Sequence, residues 1–324
     1  MKAAGIISAV LCVLLSCCIL AAQNPPVNTT PPGRPIKLNL IVTDHANHAV
    51  DDVKKDDVQV LENDKPQTVV SFEKDLRPVS YVLAIDNSGS FKNILPQILA
   101  DSARLVGQNH DLDETMLIRF ISSNKIEKVQ DFTRDKAELL SGLKLLRIEG
   151  GQSAVIDAIY IAVQSAAQYK PNDSSLHRAV VIVSDGEDRA SYYTKDQLIN
   201  LLRVSDVQVF IVGVVAQLDS DSSLTRLNPR QRAINLLTSI AGESGGLLFI
   251  PDNTEQFASA IDEIAHDLRT QYLIGYETQD LNENFRKIRV RIDKSANREK
   301  RIATTRSGYF INPPDPEGKK KKKS

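Results

Sequence analysis

Asp86, Ser88 and Ser90 occupy alternate positions in the stretch Asp86-Asn87-Ser88-Gly89-Ser90. In an extended turn alternate side chains point to one side, so a carboxylate and two hydroxyls aim at one spot. These are hard oxygen donors with little negative charge. They suit Mg²⁺ or a similar hard cation and leave it undercharged. The preceding run, Tyr81-Val82-Leu83-Ala84-Ile85, has no polar alternation and reads as a strand buried on both faces of a parallel sheet. A helical pattern starts at about Phe91. The three oxygens therefore fall at the carboxyl end of a central strand, where open α/β sheets keep their ligand sites. Two other readings fit the same residues. Asp86 could cap the following helix, with Ser88 and Ser90 as turn residues. A serine could also act as a nucleophile, but Gly-x-Ser-x-Gly is absent and the five histidines form no triad pattern.

Asp-x-Ser-x-Ser after a hydrophobic strand resembles the metal-ion-dependent adhesion site (MIDAS) of von Willebrand factor A (VWA) domains. Two downstream stretches extend the resemblance. Gly150-Gly151-Gln152-Ser153-Ala154 is similar to the family's Gly-Gly-x-Thr-Ala loop, and Ala179-Val180-Val181-Ile182-Val183-Ser184-Asp185-Gly186 is similar to its strand ending in Ser-Asp-Gly. The resemblance implies Ser88 and Ser90 as direct ligands of Mg²⁺ (or Mn²⁺ or Ca²⁺), with Ser153 direct or through water. It implies Asp86 and Asp185 acting mainly through water, and a partner protein's acidic residue completing the cation's shell. Ser153 stands where the family usually has Thr; the hydroxyl is kept and the rotamer-restricting methyl is lost. Ile121-Ser122-Ser123 stands where the family often has Phe-Asn-Asp, which removes an acidic group. Asn87, Gln152, Glu187 and Asp188 are expected on the partner-binding rim.

The elements that must position these residues alternate between strand and helix. Strands are expected over 115–121, 178–184, 207–215 and 247–250, and helices over 91–107, 137–146, 153–163, 195–202, 232–241 and 254–268. Pro96 fits only near a first turn, so the first helix starts late or kinks. Thr254 is the expected cap of the last helix. The result is an α/β fold with a doubly wound, mostly parallel sheet. Alternating strands also flank this unit, at 36–42, 56–62, 68–72, 272–276, 285–292 and near 302–311. Neither flank has enough strands to bury a core alone, so the two are expected to pack as one small all-β domain with the α/β domain inserted. The run 285–292 is expected to turn its basic side to water. Lys54 to Gln67 and Arg306 to Phe310 resemble the opening and close of exported bacterial proteins with a VWA-related domain. The expected boundaries are an export signal at 1–22, a Pro-rich spacer at 23–35, β segments at 36–77 and 270–312, the VWA-like domain at 78–269, and a basic tail at 313–324.

The chain has 324 residues, 42% hydrophobic and 25% charged, with a net charge of −1. Those are globular values, and the charge gives no general affinity for nucleic acid. Lys2, the apolar run to Ala22 and the small residues Ala21-Ala22 form an export signal. All three cysteines, Cys12, Cys17 and Cys18, lie inside it, so a cleaved chain has no thiol. Leu14-Leu15-Ser16-Cys17 loosely resembles a lipobox, and the run is about long enough to span a bilayer. Release, lipid anchoring and membrane anchoring are thus the three outcomes. The expected function is an exported, non-enzymatic, metal-dependent protein-binding module of the cell envelope. The alternatives are a metal-dependent hydrolase or phosphoryl-transfer enzyme, or a structural envelope protein with a vestigial site. Cleavage after Ala22 predicts a mature chain beginning at Gln23. Intact-mass analysis of protein from its native host checks this, and a lipid on Cys17 or retention of residues 1–22 would refute it.

Overall fold

The structure is a computed structural model, and it describes residues 34–171, 173–218, 227–278, 284–293 and 300–312. The export signal, the spacer up to residue 33, residues 219–226 and the basic tail lie outside them. No helix among the described residues is long and apolar enough to cross a membrane.

The chain begins with four strands: β1 (Arg34–Thr43), β2 (Val58–Glu62), β3 (Lys65–Gln67) and β4 (Val69–Lys74). It then enters β5 (Val79–Asp86), α1 (Leu95–Gly107), β6 (Glu114–Phe120), β7 (Ile126–Thr133), α2 (Lys136–Leu145), α3 (Val155–Gln168) and β8 (His177–Ser184). There follow α4 (Lys195–Val204), β9 (Gln208–Gly213), α5 (Pro229–Ser244), β10 (Leu248–Phe249) and α6 (Thr254–Asp267). The last four strands are β11 (Tyr272–Thr278), β12 (Phe285–Ile292), β13 (Ile302–Thr304) and β14 (Gly308–Phe310).

The central sheet has the order β10-β9-β8-β5-β6-β7. Every pair is parallel except β6 with β7. All eight residues of β5 are buried, because helices cover both faces. The α3, α4 and α5 side packs on Val82, Ala84, Val180 and Ile182. The α1, α2 and α6 side packs on Tyr81, Leu83, Ile85 and Val181. β5 lies between β6 and β8, and the chain leaves it first to one side and later to the other. The topological switch point, where a crevice opens, is therefore the carboxyl end of β5, and Asp86 stands there.

One of the two outcomes expected for Pro96 holds, and two other details differ from the sequence-based expectations. α1 starts late, at Leu95, with Pro96 in its first turn, where its missing N–H costs nothing. Asn253 caps α6 instead of Thr254, its side chain accepting from Gln256 N at 2.9 Å. β7 was not anticipated. It is a charged, half-exposed edge strand that carries little apolar signal.

The two flanks build one antiparallel unit. β1 pairs with β11 from Arg34↔Thr278 to Leu40↔Tyr272, and β2 pairs with β12. Two four-stranded sheets result, β13-β1-β11-β4 and β14-β12-β2-β3, over a shared core that includes Leu38, Leu40, Val60, Ile274 and Val290. Lys287, Arg289 and Arg291 face water as expected, but Arg286 does not. It is in phase with Ile288 and Val290 and only 1% exposed. It lies 3.8 Å from the equally buried Glu62. Glu62 also accepts hydroxyls from Tyr276 at 2.7 Å, Thr278 at 2.6 Å and Tyr309 at 2.9 Å.

This unit meets the α/β domain at the amino-terminal ends of the central strands. Arg77 bridges Asp75 and Asn39. Gln208, the first residue of β9, lies 2.5 Å from the His177 ring and bonds Asn39 at 3.5 Å.

Asp267, at the end of α6, is fully buried, and among the described residues neither of its carboxyl oxygens has a hydrogen-bond partner. Burial pushes its pKa from 3.8 up to about 8, and the charge of Glu263 adds to the shift. The folded protein thus holds a proton that the unfolded chain releases, and stability falls as pH rises between those two values. Asp267→Asn removes the titration. Melting curves between about pH 5 and about pH 9 should show the variant gaining on wild type as pH rises; parallel curves would contradict this.

Candidate functional site

Three loops meet at the carboxyl edge of the sheet, and each is held by local chemistry. In the first, Asp86 ends β5 fully buried. Its Oδ1 accepts from Ser88 N at 2.9 Å and its Oδ2 from Ser184 Oγ at 3.3 Å. This turn places Ser88 Oγ 3.0 Å from Ser90 Oγ. In the second, the Gly150–Ser153 loop crosses β6's end. Gly151 approaches so closely that a Cβ there would lie 2.5 Å from Ile121 Cγ2, so a side chain is excluded. In the third, β8 runs through Ser184 into Asp185, and Gly186 turns at φ +72° with its Cα against Leu237. Only glycine tolerates both the conformation and the contact.

The loops surround a cavity of about 110 Å³ lined by Ser88, Ser90, Ser153, Asp185, Glu187 and Arg189, with Gln152 and glycines completing the wall. Asp86 sits beneath it. Burial pushes the Asp86 carboxyl up to about 7, against the lowering effect of the Ser88 bonds, and the charge of Asp185 adds to the rise. Burial also raises Asp185, although the Glu187 N–H and the Ser90 hydroxyl bond it. Two acids held next to each other at a cost, under three hydroxyl oxygens, form a donor set that fits a hard divalent cation. No group of three or more His, Cys, Asp or Glu side chains suited to a metal occurs among the described residues. Any cation here would rely on hydroxyls and water beside the two acids.

The five expected ligands, Asp86, Ser88, Ser90, Ser153 and Asp185, are brought to one place. The expected rim needs correction. Gln152 is exposed and Glu187 half-exposed, as a rim requires. Asn87 is fully buried, its amide donating to Arg147 O at 2.9 Å. It follows Asp86 in a nearly extended chain and so points the other way, into the protein. Asp188 turns its Oδ1 inward to Ile156 N at 3.2 Å and to Ser191 Oγ at 2.5 Å, capping the start of α3.

Asp188 belongs to a brace that the residue pattern did not reveal. Ser153 O accepts from Arg189 N and Ala190 N. Ser191 Oγ accepts from Asp157 N at 3.1 Å. Asp157, 2% exposed, accepts from Tyr192 N at 2.8 Å and Tyr193 N at 2.7 Å. Tyr193 then stacks on Tyr160 with centroids 3.8 Å apart. The loop bearing Asp185 is thus laced to the helix that Ser153 opens. The one signal in the sequence was a carboxylate in the first turn of an apolar helix, where it favours the helix dipole.

Residues 81–187 match the model of the von Willebrand factor type A domain. Among solved structures, the chain is similar to the conserved hypothetical protein BatB from Bacteroides thetaiotaomicron, with 20% identity over 58% of this chain and 98% of that one and a TM-score of 0.44. It is also similar to proximal thread matrix protein 1 from the mussel byssus, solved with a zinc-occupied MIDAS motif, with 13% identity over 64% and 50% of the two chains and a TM-score of 0.46. A third is the pilus adhesin SpaC from Lactobacillus rhamnosus GG, with 11% identity over 78% and 47% and a TM-score of 0.47. No curated protein matches the sequence.

The brace predicts a local effect. Asp157→Ala strands the amides of Tyr192 and Tyr193, which should cost about 2–4 kcal/mol in denaturant unfolding. Amide exchange should quicken first over 189–193. Uniform quickening across the domain would show that Asp157 serves the core and not the loop.

Proposed function

The chain carries a von Willebrand factor type A domain, and from that premise we propose that it is a cation-dependent protein-binding module. Asp86, Ser88, Ser90, Ser153 and Asp185 hold the cation, with Mg²⁺ or Mn²⁺ the best match to hard oxygen donors. The observation that carries this reading is the convergence of three hydroxyls and Asp185 on one small cavity at the switch point, with the buried Asp86 carboxyl close enough to feel the Asp185 charge.

The chemistry follows from the ligand count. Few charged ligands leave a bound dication with excess positive charge and an open or water-filled position, which an acidic side chain of a partner protein fills. Partner and cation binding are then linked, each strengthening the other. This chain's own residues supply the rest. Ser184 and the Ser88 amide orient Asp86, and the Asp157 brace fixes the Ser153 loop against the Asp185 loop. The β unit anchors the opposite edge of the sheet, so the site faces outward. The export signal at 1–22 supports placement in the envelope or outside the cell. A cation serving to hold a partner needs no general base or leaving-group donor, and the reading is accordingly non-enzymatic.

Calorimetric titration of Mg²⁺ and Mn²⁺ tests the site. Wild type should bind, Asp86→Ala should lose binding while keeping its circular dichroism spectrum, and Ser153→Thr should bind as well or better because the methyl restricts the hydroxyl. Pull-down from the native envelope should recover a partner in Mg²⁺ and lose it in EDTA. Capture that survives EDTA would refute cation-dependent binding. Wild type that binds neither cation at about millimolar concentration, a range typical of weak extracellular sites, would refute the site.

A further inference from the structure

Arg189 is the basic side chain in the wall of the cavity. Its backbone is pinned, since Arg189 N donates to Ser153 O at 2.9 Å. Its guanidinium reaches Glu187 Oε2 at 2.5 Å, and the two side chains are 55% and 23% exposed. Glu187 is itself anchored, its N–H donating to Asp185 Oδ1 at 3.0 Å. An ion pair therefore sits at the mouth, with both members tied to the proposed ligand loops. Half-exposed ion pairs of this kind contribute little to stability, and this one touches no core. Its placement is what calls for a role.

A guanidinium stays charged at any working pH and presents five N–H donors in a planar fork. Pairing with Glu187 leaves most of them available. A cavity of about 110 Å³ has room for a cation and one carboxylate group, so a carboxylate that enters meets the Arg189 wall as well as the cation. We propose that Arg189 is the second anchor of the partner's carboxylate: one oxygen completes the cation's shell, and the guanidinium, exchanging Glu187 for the partner, takes the other. This rests on the cation-site reading above and adds a specificity element to it. The partner chemistry is an acidic side chain able to present both oxygens; an amide isostere offers one acceptor and no charge.

The pair also sets the field in the cavity, and the two roles of Arg189 have opposite signs. Its positive charge opposes an incoming dication, while it attracts an incoming carboxylate. Glu187 does the reverse in each case. No merely structural role for the pair would split the two readouts this way.

The experiment uses Mg²⁺ alone in calorimetry, then N-acetyl-aspartate amide titrated into Mg²⁺-loaded protein and followed by NMR, with the asparagine analogue as control. Arg189→Gln should tighten Mg²⁺ and weaken the aspartate probe, each by roughly three- to tenfold, as expected for one exposed charge a few ångströms away. Glu187→Gln should weaken Mg²⁺ by a similar factor. Arg189→Lys should restore wild-type Mg²⁺ affinity through its charge, but only part of the probe affinity, lacking the fork. If wild type binds Mg²⁺ and Arg189→Gln leaves probe affinity unchanged, the anchor is overturned and the cation site stands. If Arg189→Gln weakens Mg²⁺ and the probe alike, the residue props up the loop and the inference is also wrong. A wild type that binds no Mg²⁺ overturns both.

Discussion

A carboxyl group buried at the end of the central strand is the constraint on which this architecture turns. Asp86 has no exposed surface, and burial is the main cause that pushes its carboxyl up to about 7. A fold that gained only stability from this position would place an apolar residue there. The cost is tolerated because the Ser88 amide and the Ser184 hydroxyl orient the carboxyl, and because two neighbouring strands hold it rigidly. β5 is hydrogen-bonded to β6 and β8 along its whole length. A strand fixed on both edges and packed on both faces cannot shift to relieve a poor contact at its tip. Cost and rigidity together fix the position of the Asp86 carboxyl.

The rest of the molecule works to keep that edge available. The antiparallel unit closes on itself through β1, which pairs with β11 and, in the last described segment of the chain, with β13. Its interior carries Glu62 and Arg286, both nearly inaccessible. A buried ionic pair adds little net stability, but removing either member leaves an uncompensated charge. The three hydroxyls on Glu62 show how such a charge is accommodated, each donor supplying part of the solvation that water would have given. Because this unit docks at the amino-terminal ends of the strands, it lies about eight strand residues from the hydroxyl cluster, a span of roughly 25 Å. It steadies the sheet without approaching the site.

At the site itself the balance of charge is shifted towards neutrality. Hydroxyls outnumber carboxylates, Asp188 is turned away into a helix cap, and Glu187 is offset by Arg189. Each choice lowers the negative charge that a cation would feel. In the proposed function a dication so held would keep its attraction for an external acid; the surrounding loops are braced by Asp157 and Ser191.

The sequence by itself determined the elements whose signals are local. Continuous apolar runs identified β5 and β8, because strands buried on both faces need no alternation. Strand-to-loop boundaries then located Asp86, Ser88, Ser90 and Asp185, since each lies within a few residues of such a run, whereas Ser153 was marked only by the resemblance of Gly150–Ala154 to the Gly-Gly-x-Thr-Ala loop. Pro96 marked the late start of α1. Tertiary structure decided everything that depends on which segments meet. Arg286 reads as one more basic residue on a half-exposed strand until pairing with β2 brings Glu62 within reach. Asn87 looks like a rim residue until the turn directs it to Arg147 O, sixty residues away. β7 has no apolar signature because an edge strand is held by its backbone. Arg189 carries no mark in sequence at all, and its position follows from a hydrogen bond to Ser153 O in another loop. Periodicity and turn chemistry are written along the chain, whereas the neutralising partner of a charge is set by the packing that closes the loops between them.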